Sequence, residues 1–188
     1  MAVVPADVEI YPLSLQRYER MVDEGILGPG DRVELIRGML AAMAPHGARH
    51  AAALQWLSQV FIRGVDPARF DVRVQLPIRL PAAESVPEPD VAVVSAGAYA
   101  TEHPTTADLV IEVSDSSLLS DLGTKADVYA TGAIPELWVI DVARVTALVH
   151  RCPANGRYQQ LSEETARLQP STPGLPTVDL AALLARLD

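Results

Sequence analysis

Leu109-Val-Ile-Glu-Val-Ser114, Asp121-Leu-Gly-Thr-Lys-Ala-Asp-Val-Tyr129 and Gly132-Ala-Ile-Pro-Glu-Leu-Trp-Val-Ile-Asp141 are the three segments whose reading decides the fold. Leu109 to Val113 is apolar except for one acid, as expected of a central strand covered on both faces. The spacing predicts a helix from about Asp121 to Thr131, ended by Gly132. Glu136 to Asp141 then reads as a second buried strand. Strand, helix and strand in close succession make a crossover unit, whose strands should run parallel with the helix packed back across the sheet.

Outward from this unit the pattern extends the sheet. Val91 to Val94 is another short apolar run, opened by Pro89-Asp90 and joined to Leu109 through a polar loop containing His103-Pro104. Phe70 to Leu80 alternates Val72, Val74, Leu76, Ile78 and Leu80 against Arg73, Gln75 and Arg79, a half-buried strand that Pro77 marks as an edge or a bulge. Ser14 is placed to cap a helix from Leu15 to about Glu24, with Leu15, Tyr18 and Val22 on one face. Arg32 to Ile36 and Met39 to Ala44 read as strands around the turn Arg37-Gly38, and His50 to Arg63 as a helix. Val145 to His150 and Tyr158 to Leu161 form a hairpin through Pro153-Ala-Asn-Gly156, and Asp179 to Leu187 a terminal helix. The expected fold class is α/β: one mixed sheet flanked by helices, in a single domain over residues 1–188.

Composition narrows the function classes. The chain is 49% hydrophobic, which excludes a mainly disordered protein. No apolar run reaches the roughly 20 residues of a membrane helix. Cys152 is the only cysteine, so there is neither an internal disulfide nor a thiolate cluster. The opening Met1-Ala-Val-Val-Pro-Ala-Asp7 lacks the regions of a secretory signal, and the expected location is the cytoplasm. A net charge of −9 argues against broad, non-specific nucleic-acid binding, although a carboxylate cluster around a divalent cation is compatible with it.

Candidate chemistry starts from Asp90, Glu112 and Lys125. If the strands at 91–94 and 109–113 pair antiparallel, Asp90 at the start of one lies beside Glu112 near the end of the other. Glu112 interrupts an apolar run, where an unpaired charge would cost several kcal/mol. It therefore needs a metal, a cationic partner or a raised pKa, and a structural ion pair with an arginine answers that need as well. Of 15 basic residues only Lys125 is a lysine, which suits a position wanting a compact ammonium. Asp121, Lys125 and Tyr129 share one helical stripe that can face Glu112. The plain alternative is an exposed Asp121–Lys125 pair contributing about 0.3–0.5 kcal/mol. Glu34, inside Val33-Glu-Leu-Ile36, either adds a further carboxylate or points to solvent.

These segments, with Glu34-Leu-Ile-Arg-Gly38 and Pro89-Asp-Val-Ala-Val-Val94, resemble the Uma family of bacterial restriction-endonuclease-like proteins, from about Leu13 to the Val178-Asp-Leu180 region. That family belongs to the PD-(D/E)xK nuclease superfamily, so the resemblance implies the restriction endonuclease-like fold. It makes Asp90 the motif aspartate, Glu112 the second acidic ligand and Glu34 the additional N-terminal acid. Ser114 stands where the usual motif lysine would, and the family displaces that lysine onto the next helix, where Lys125 occurs. Arg37 replaces an acid often seen in its motif, and Glu88 stands at a position often basic, which disfavours phosphate approach. His50 opens a helix where the family tends to carry a histidine; it is an accessory candidate with no metal-ligand spacing to His46. Tyr129 and Trp138 read as core.

The expected activity is phosphodiester hydrolysis of DNA or RNA. Asp90, Glu112 and the main-chain carbonyl of Val113 would hold Mg²⁺ or Mn²⁺, and Lys125 would orient water or stabilise the transition state. A different class of reading is a catalytically silent nuclease-fold protein serving oligomerisation or partner binding, as a homodimer or higher homo-oligomer. Glycoside hydrolysis by paired carboxylates gives Lys125 no role.

Overall fold

The computed structural model describes residues 10–114 and 119–187 of the chain. The serine-rich stretch between Ser114 and Leu119 and the side chain of Asp121 lie outside them, so the Asp121 end of the expected stripe is not part of this description.

Six strands form one mixed sheet: β3 (Phe70–Val74), β4 (Val91–Ser95), β5 (Leu109–Ser114), β6 (Glu136–Asp141), β7 (Thr146–Ala154) and β8 (Arg157–Glu164), in that spatial order. Only β5 and β6 are parallel, and they are the two joined by a helix, α3 (Leu119–Thr131). The remaining neighbours are antiparallel. Residues of β4, β5 and β6 are buried almost throughout because helices cover both faces. On one face Leu54, Leu57 and Phe61 of α2 (Ala48–Gly64) pack on Val91, Ile111 and Trp138. On the other, Ala126, Val128 and Tyr129 of α3 pack on Ala92, Val110 and Val139.

A separate hairpin, β1 (Val33–Ile36) with β2 (Met39–Ala42), lies near the start of β4, where the Val86 N–H donates to the Leu35 carbonyl. The helix α1 (Leu15–Asp23) has Ser14 as its cap, its side chain accepting from the Arg17 N–H. Val22 is exposed rather than sharing the buried face of Leu15 and Tyr18. Two short strands, β9 (Arg167–Leu168) and β10 (Val178–Asp179), pair with each other before α4 (Leu180–Leu184).

Three local expectations change in ways that sequence pattern cannot anticipate. The strand expected from Phe70 to Leu80 stops at Val74, because Gln75 turns into the left-handed region with φ 50°. Pro77 therefore lies beyond the end of an edge strand. The hairpin after β6 is longer than expected: Pro153 pairs within it opposite Tyr158, and only Asn155-Gly156, with φ of 53° and 72°, makes the turn. At the end of α3 the left-handed residue is Ala133 (φ 57°), not Gly132. Ala133 N–H bonds the Ala130 carbonyl and Ile134 N–H the Tyr129 carbonyl, the double closure of a Schellman ending. Gly132 is required for another reason: a Cβ there would stand 2.8 Å from the Leu80 side chain.

Candidate metal and catalytic site

Strand register brings the two key acids together. In the antiparallel β4–β5 ladder Val91 stands opposite Ile111 and Ala92 opposite Val110, so one step further Asp90 faces Glu112. Both are 5% exposed. Opposite Val113 the following rung would fall on Pro89, which has no N–H to give to the Val113 carbonyl. The Val113 N–H instead donates to Asp90 Oδ2 at 2.8 Å. Ladder alternation points the Val113 carbonyl to the same side.

Lys125 reaches this corner from α3. Its Nζ lies 3.3 Å from Glu112 Oε1 and 3.1 Å from Glu34 Oε1. Glu34 is buried, so the solvated reading of that residue is excluded, and its Oε2 accepts the Glu88 N–H. One turn along α3 from Lys125, Tyr129 donates its hydroxyl to the same Glu112 Oε1 at 2.6 Å. The stripe through Lys125 and Tyr129 thus faces Glu112, and the cationic partner of that acid is the lysine rather than an arginine. Tyr129 is core, as expected, and also holds the acid, a role its place in the stripe could have signalled.

Asp90 draws its partners from elsewhere. Its Oδ1 lies 3.1 Å from His50 Nε2 and 3.3 Å from Gln75 Nε2. His50 does not open its helix; it is the third residue of α2 and is buried. His46, expected to have no metal-ligand spacing to His50, nevertheless lies close to it in the fold. The rings stack at 4.1 Å between centroids, and nitrogens of both lie with an Asp90 oxygen within 4.8 Å of one another. Gln75, which the strand pattern did not single out, joins the set by donating to Asp90 and approaching His46 Nδ1 at 3.1 Å.

The electrostatics follow from three buried acids meeting one ammonium. Burial pushes the Glu112 carboxyl up to about 7 against the pull of Lys125, and the nearby Asp90 adds to the rise. Burial also acts to lower Lys125, but the flanking Glu112 and Glu34 carboxylates outweigh it and hold the amine above its ordinary value. Lys125 is therefore an ammonium at every physiological pH. Burial would raise Asp90, yet the His50 imidazole and the Val113 and Gln75 donors keep it below the usual aspartate range. His46 is held low, first by burial and then by the adjacent His50. Burial and then Glu34 push the Glu88 carboxyl up. Beside these groups opens a cleft of about 1150 Å³, bordered near the site by Arg32, Gln75 and Glu88 and further out by Arg79, Tyr99 and His103.

A family model described as "Putative restriction endonuclease", Uma2, matches residues 15–183. The chain belongs to the Uma2 family. Among solved structures, the Uma2 chain is similar to a protein from Anabaena variabilis ATCC 29413 described as a putative nuclease belonging to DUF820. The likeness covers 94% of this chain and 99% of that one at 17% identity, with a TM-score of 0.77. At that identity it establishes the shared nuclease-like fold. No curated protein matches this Uma2 chain. Among the described residues no helix is long and apolar enough to cross a membrane.

Proposed function

We propose that this chain is a divalent-metal-dependent nuclease that hydrolyses phosphodiester bonds of DNA or RNA in the cytoplasm. The observation that carries the reading is the register of Asp90 opposite Glu112 with the chain's single lysine against Glu112. The donor set fits a hard cation: three buried carboxyl groups, Glu34, Asp90 and Glu112, are balanced by one ammonium, and the Val113 carbonyl adds an oxygen at the same strand end. Asp90, Glu112 and Val113 would hold Mg²⁺ or Mn²⁺. A cation of this kind supplies Lewis-acid polarisation of a phosphoryl oxygen and acidifies bound water.

The remaining work belongs to side chains. Tyr129 fixes Glu112 by its hydroxyl, while His50, Gln75 and the Val113 amide fix both oxygens of Asp90. Because its proton is held tightly, Lys125 acts as a fixed positive charge for the developing phosphorane rather than as a base. Glu34 keeps that charge in place from the opposite side. Incubation of the protein with plasmid, single-stranded DNA and RNA, each with Mg²⁺ or Mn²⁺, tests the reading. Cleavage should occur and should vanish in Glu112→Ala and Lys125→Ala; no cleavage in any combination, or undiminished cleavage by those variants, would defeat it.

One observation favours the silent-module reading. Glu88 sits at the mouth beside Glu34, adding an acid where a polyanion would approach. Calorimetric titration with Mn²⁺ separates the two, since a silent module has no reason to bind the cation through Asp90.

A further inference from the structure

We infer that His46, His50 and Asp90 form a second metal site, for a borderline transition cation of the Zn²⁺ class, sharing Asp90 with the carboxylate site. The inference rests on the proposed function only in that Asp90 serves both. Imidazole nitrogens suit Zn²⁺, Co²⁺ or Ni²⁺ far better than Mg²⁺, so this donor set is chemically unlike the one built from Asp90, Glu112 and Val113.

Three features of the geometry point to it. His46 precedes the helix and His50 lies within its first turn, yet their rings stack at 4.1 Å with an interplanar angle of 21°. Stacking sets the two rings side by side, and nitrogens from both converge with an Asp90 oxygen inside 4.8 Å. In a tetrahedral site with Zn–N bonds of about 2.0–2.1 Å, neighbouring donors stand roughly 3.3 Å apart, a spacing already present between His50 Nε2 and Asp90 Oδ1 at 3.1 Å. The cation would replace the proton those two atoms share.

The second feature is what now fills the convergence. The Gln75 side-chain amide lies 3.1 Å from His46 Nδ1 and 3.3 Å from Asp90 Oδ1, so a single donor group bridges two acceptors from different elements. Half a turn of that amide presents Oε1 to the same point as a fourth, oxygen ligand. Third, Gln75 is delivered there by a left-handed backbone, φ 50°, at the end of β3. A non-glycine residue pays for that conformation, and such strain gathers where function requires it. Asp90 is held on Oδ2 by the Val113 amide, which leaves Oδ1 directed to the histidines.

Titration of the full chain with Co²⁺, followed by its visible ligand-field bands and by calorimetry, tests the site, with Mg²⁺ titrated in parallel. His46 is exposed and absent from the proposed carboxylate site, so His46→Ala should fold normally. We expect it to weaken Co²⁺ binding by about a hundredfold or more, since even outer-shell losses cost roughly 10–100-fold, and to leave Mg²⁺ binding unchanged. Glu112→Gln should do the reverse. Co²⁺ binding indifferent to His46→Ala, or a cobalt–thiolate charge-transfer band placing the ion on Cys152, would overturn the inference while leaving the nuclease reading intact. Absence of metal-dependent cleavage together with His46-dependent Co²⁺ binding would do the opposite.

Discussion

Replacing Lys125 by methionine keeps the length of the side chain and deletes its charge, leaving Glu34 and Glu112 as buried acids with no cation between them. The lysine side chain is 20% exposed and its two partners 8% and 7%, so the pair belongs to the interior. Removing one partner of such a pair costs about 3–5 kcal/mol. The loss should depend on pH, because the stranded acids can escape by taking up protons. Glu112 already holds its proton up to about 7, above its ordinary 4.5. An acid with a raised folded pKa binds more protons folded than unfolded, so stability falls as pH rises from the unfolded value to the folded one. In the native chain that decline ends near 7. Without the ammonium, which pulls Glu112 down, it should continue higher, widening the gap by about 1.4 kcal/mol per pH unit. Lys125 itself stays charged throughout this window and adds no slope of its own. For a chain of 188 residues about 1 kcal/mol corresponds to roughly 2–4 °C. Thermal unfolding followed by circular dichroism should therefore show Lys125→Met melting roughly 6–20 °C below the native protein at about pH 8, and much closer to it at about pH 5. Equal deficits at the two pH values, or a deficit under about 2 °C at the higher one, would show that the ammonium is not what makes these acids tolerable.

Added Mn²⁺ should raise the melting temperature. At about a hundred times Kd the gain is about 2.7 kcal/mol, and it should be absent in Asp90→Asn and Glu112→Gln. Because Glu112 must shed its proton to act as a ligand, apparent affinity should climb with pH up to about 7 and level off above it; calorimetry at pH values on either side would expose a flat profile if the acid is not a ligand. Gly132→Ala should lose about 1–3 kcal/mol in urea denaturation through its clash with Leu80, whereas Ala133→Gly should gain up to about 1 kcal/mol by relieving the left-handed strain. A milder effect of Gly132→Ala than of an ordinary surface change would mean that Leu80 yields freely.

The acids were legible because each breaks a local rule. Glu112 is the single charge in an apolar strand, and Asp90 follows a proline at the mouth of another; once the loop between them is read as an antiparallel return, their meeting follows from register alone. Lys125 stands out by composition, and the helical stripe it shares with Tyr129, on a helix packed back across the sheet, points it toward Glu112. What escaped depends on backbone detail that spacing does not carry. His46 and His50 are four apart, which suggests a shared helical face, but the helix begins only after its cap Gly47, so His46 reaches the His50 ring from the extended chain before the first turn. Gln75 looked like one polar residue in an alternating strand. Its role exists only because the chain leaves the sheet at that residue with positive φ. Gly132 marks the end of the helix, but the reason for a glycine there is the close approach of Leu80, since the same residue type that terminates helices also permits close contact.

Two buried glutamates on neighbouring strands, Glu112 and Glu136, are stabilised in different ways. Glu136 on β6 is fully buried, yet both its oxygens are occupied: Oε1 accepts from Trp138 Nε1 and from two nitrogens of Arg151, and Oε2 from the Ser171 amide and hydroxyl. An arginine fork with additional donors on each oxygen is how a folded chain stabilises a buried carboxylate permanently. Glu112 is also buried, though less completely; among the described residues its two donors both fall on Oε1, and the cation beside it is divided with Glu34. The chain spends fourteen arginines elsewhere and gives this acid a shared lysine instead. A carboxyl group pushed up to about 7 can exchange a proton for a metal at physiological pH. On the proposed function, the shared lysine beside Glu112 is what leaves that acid able to take a cation as a further partner.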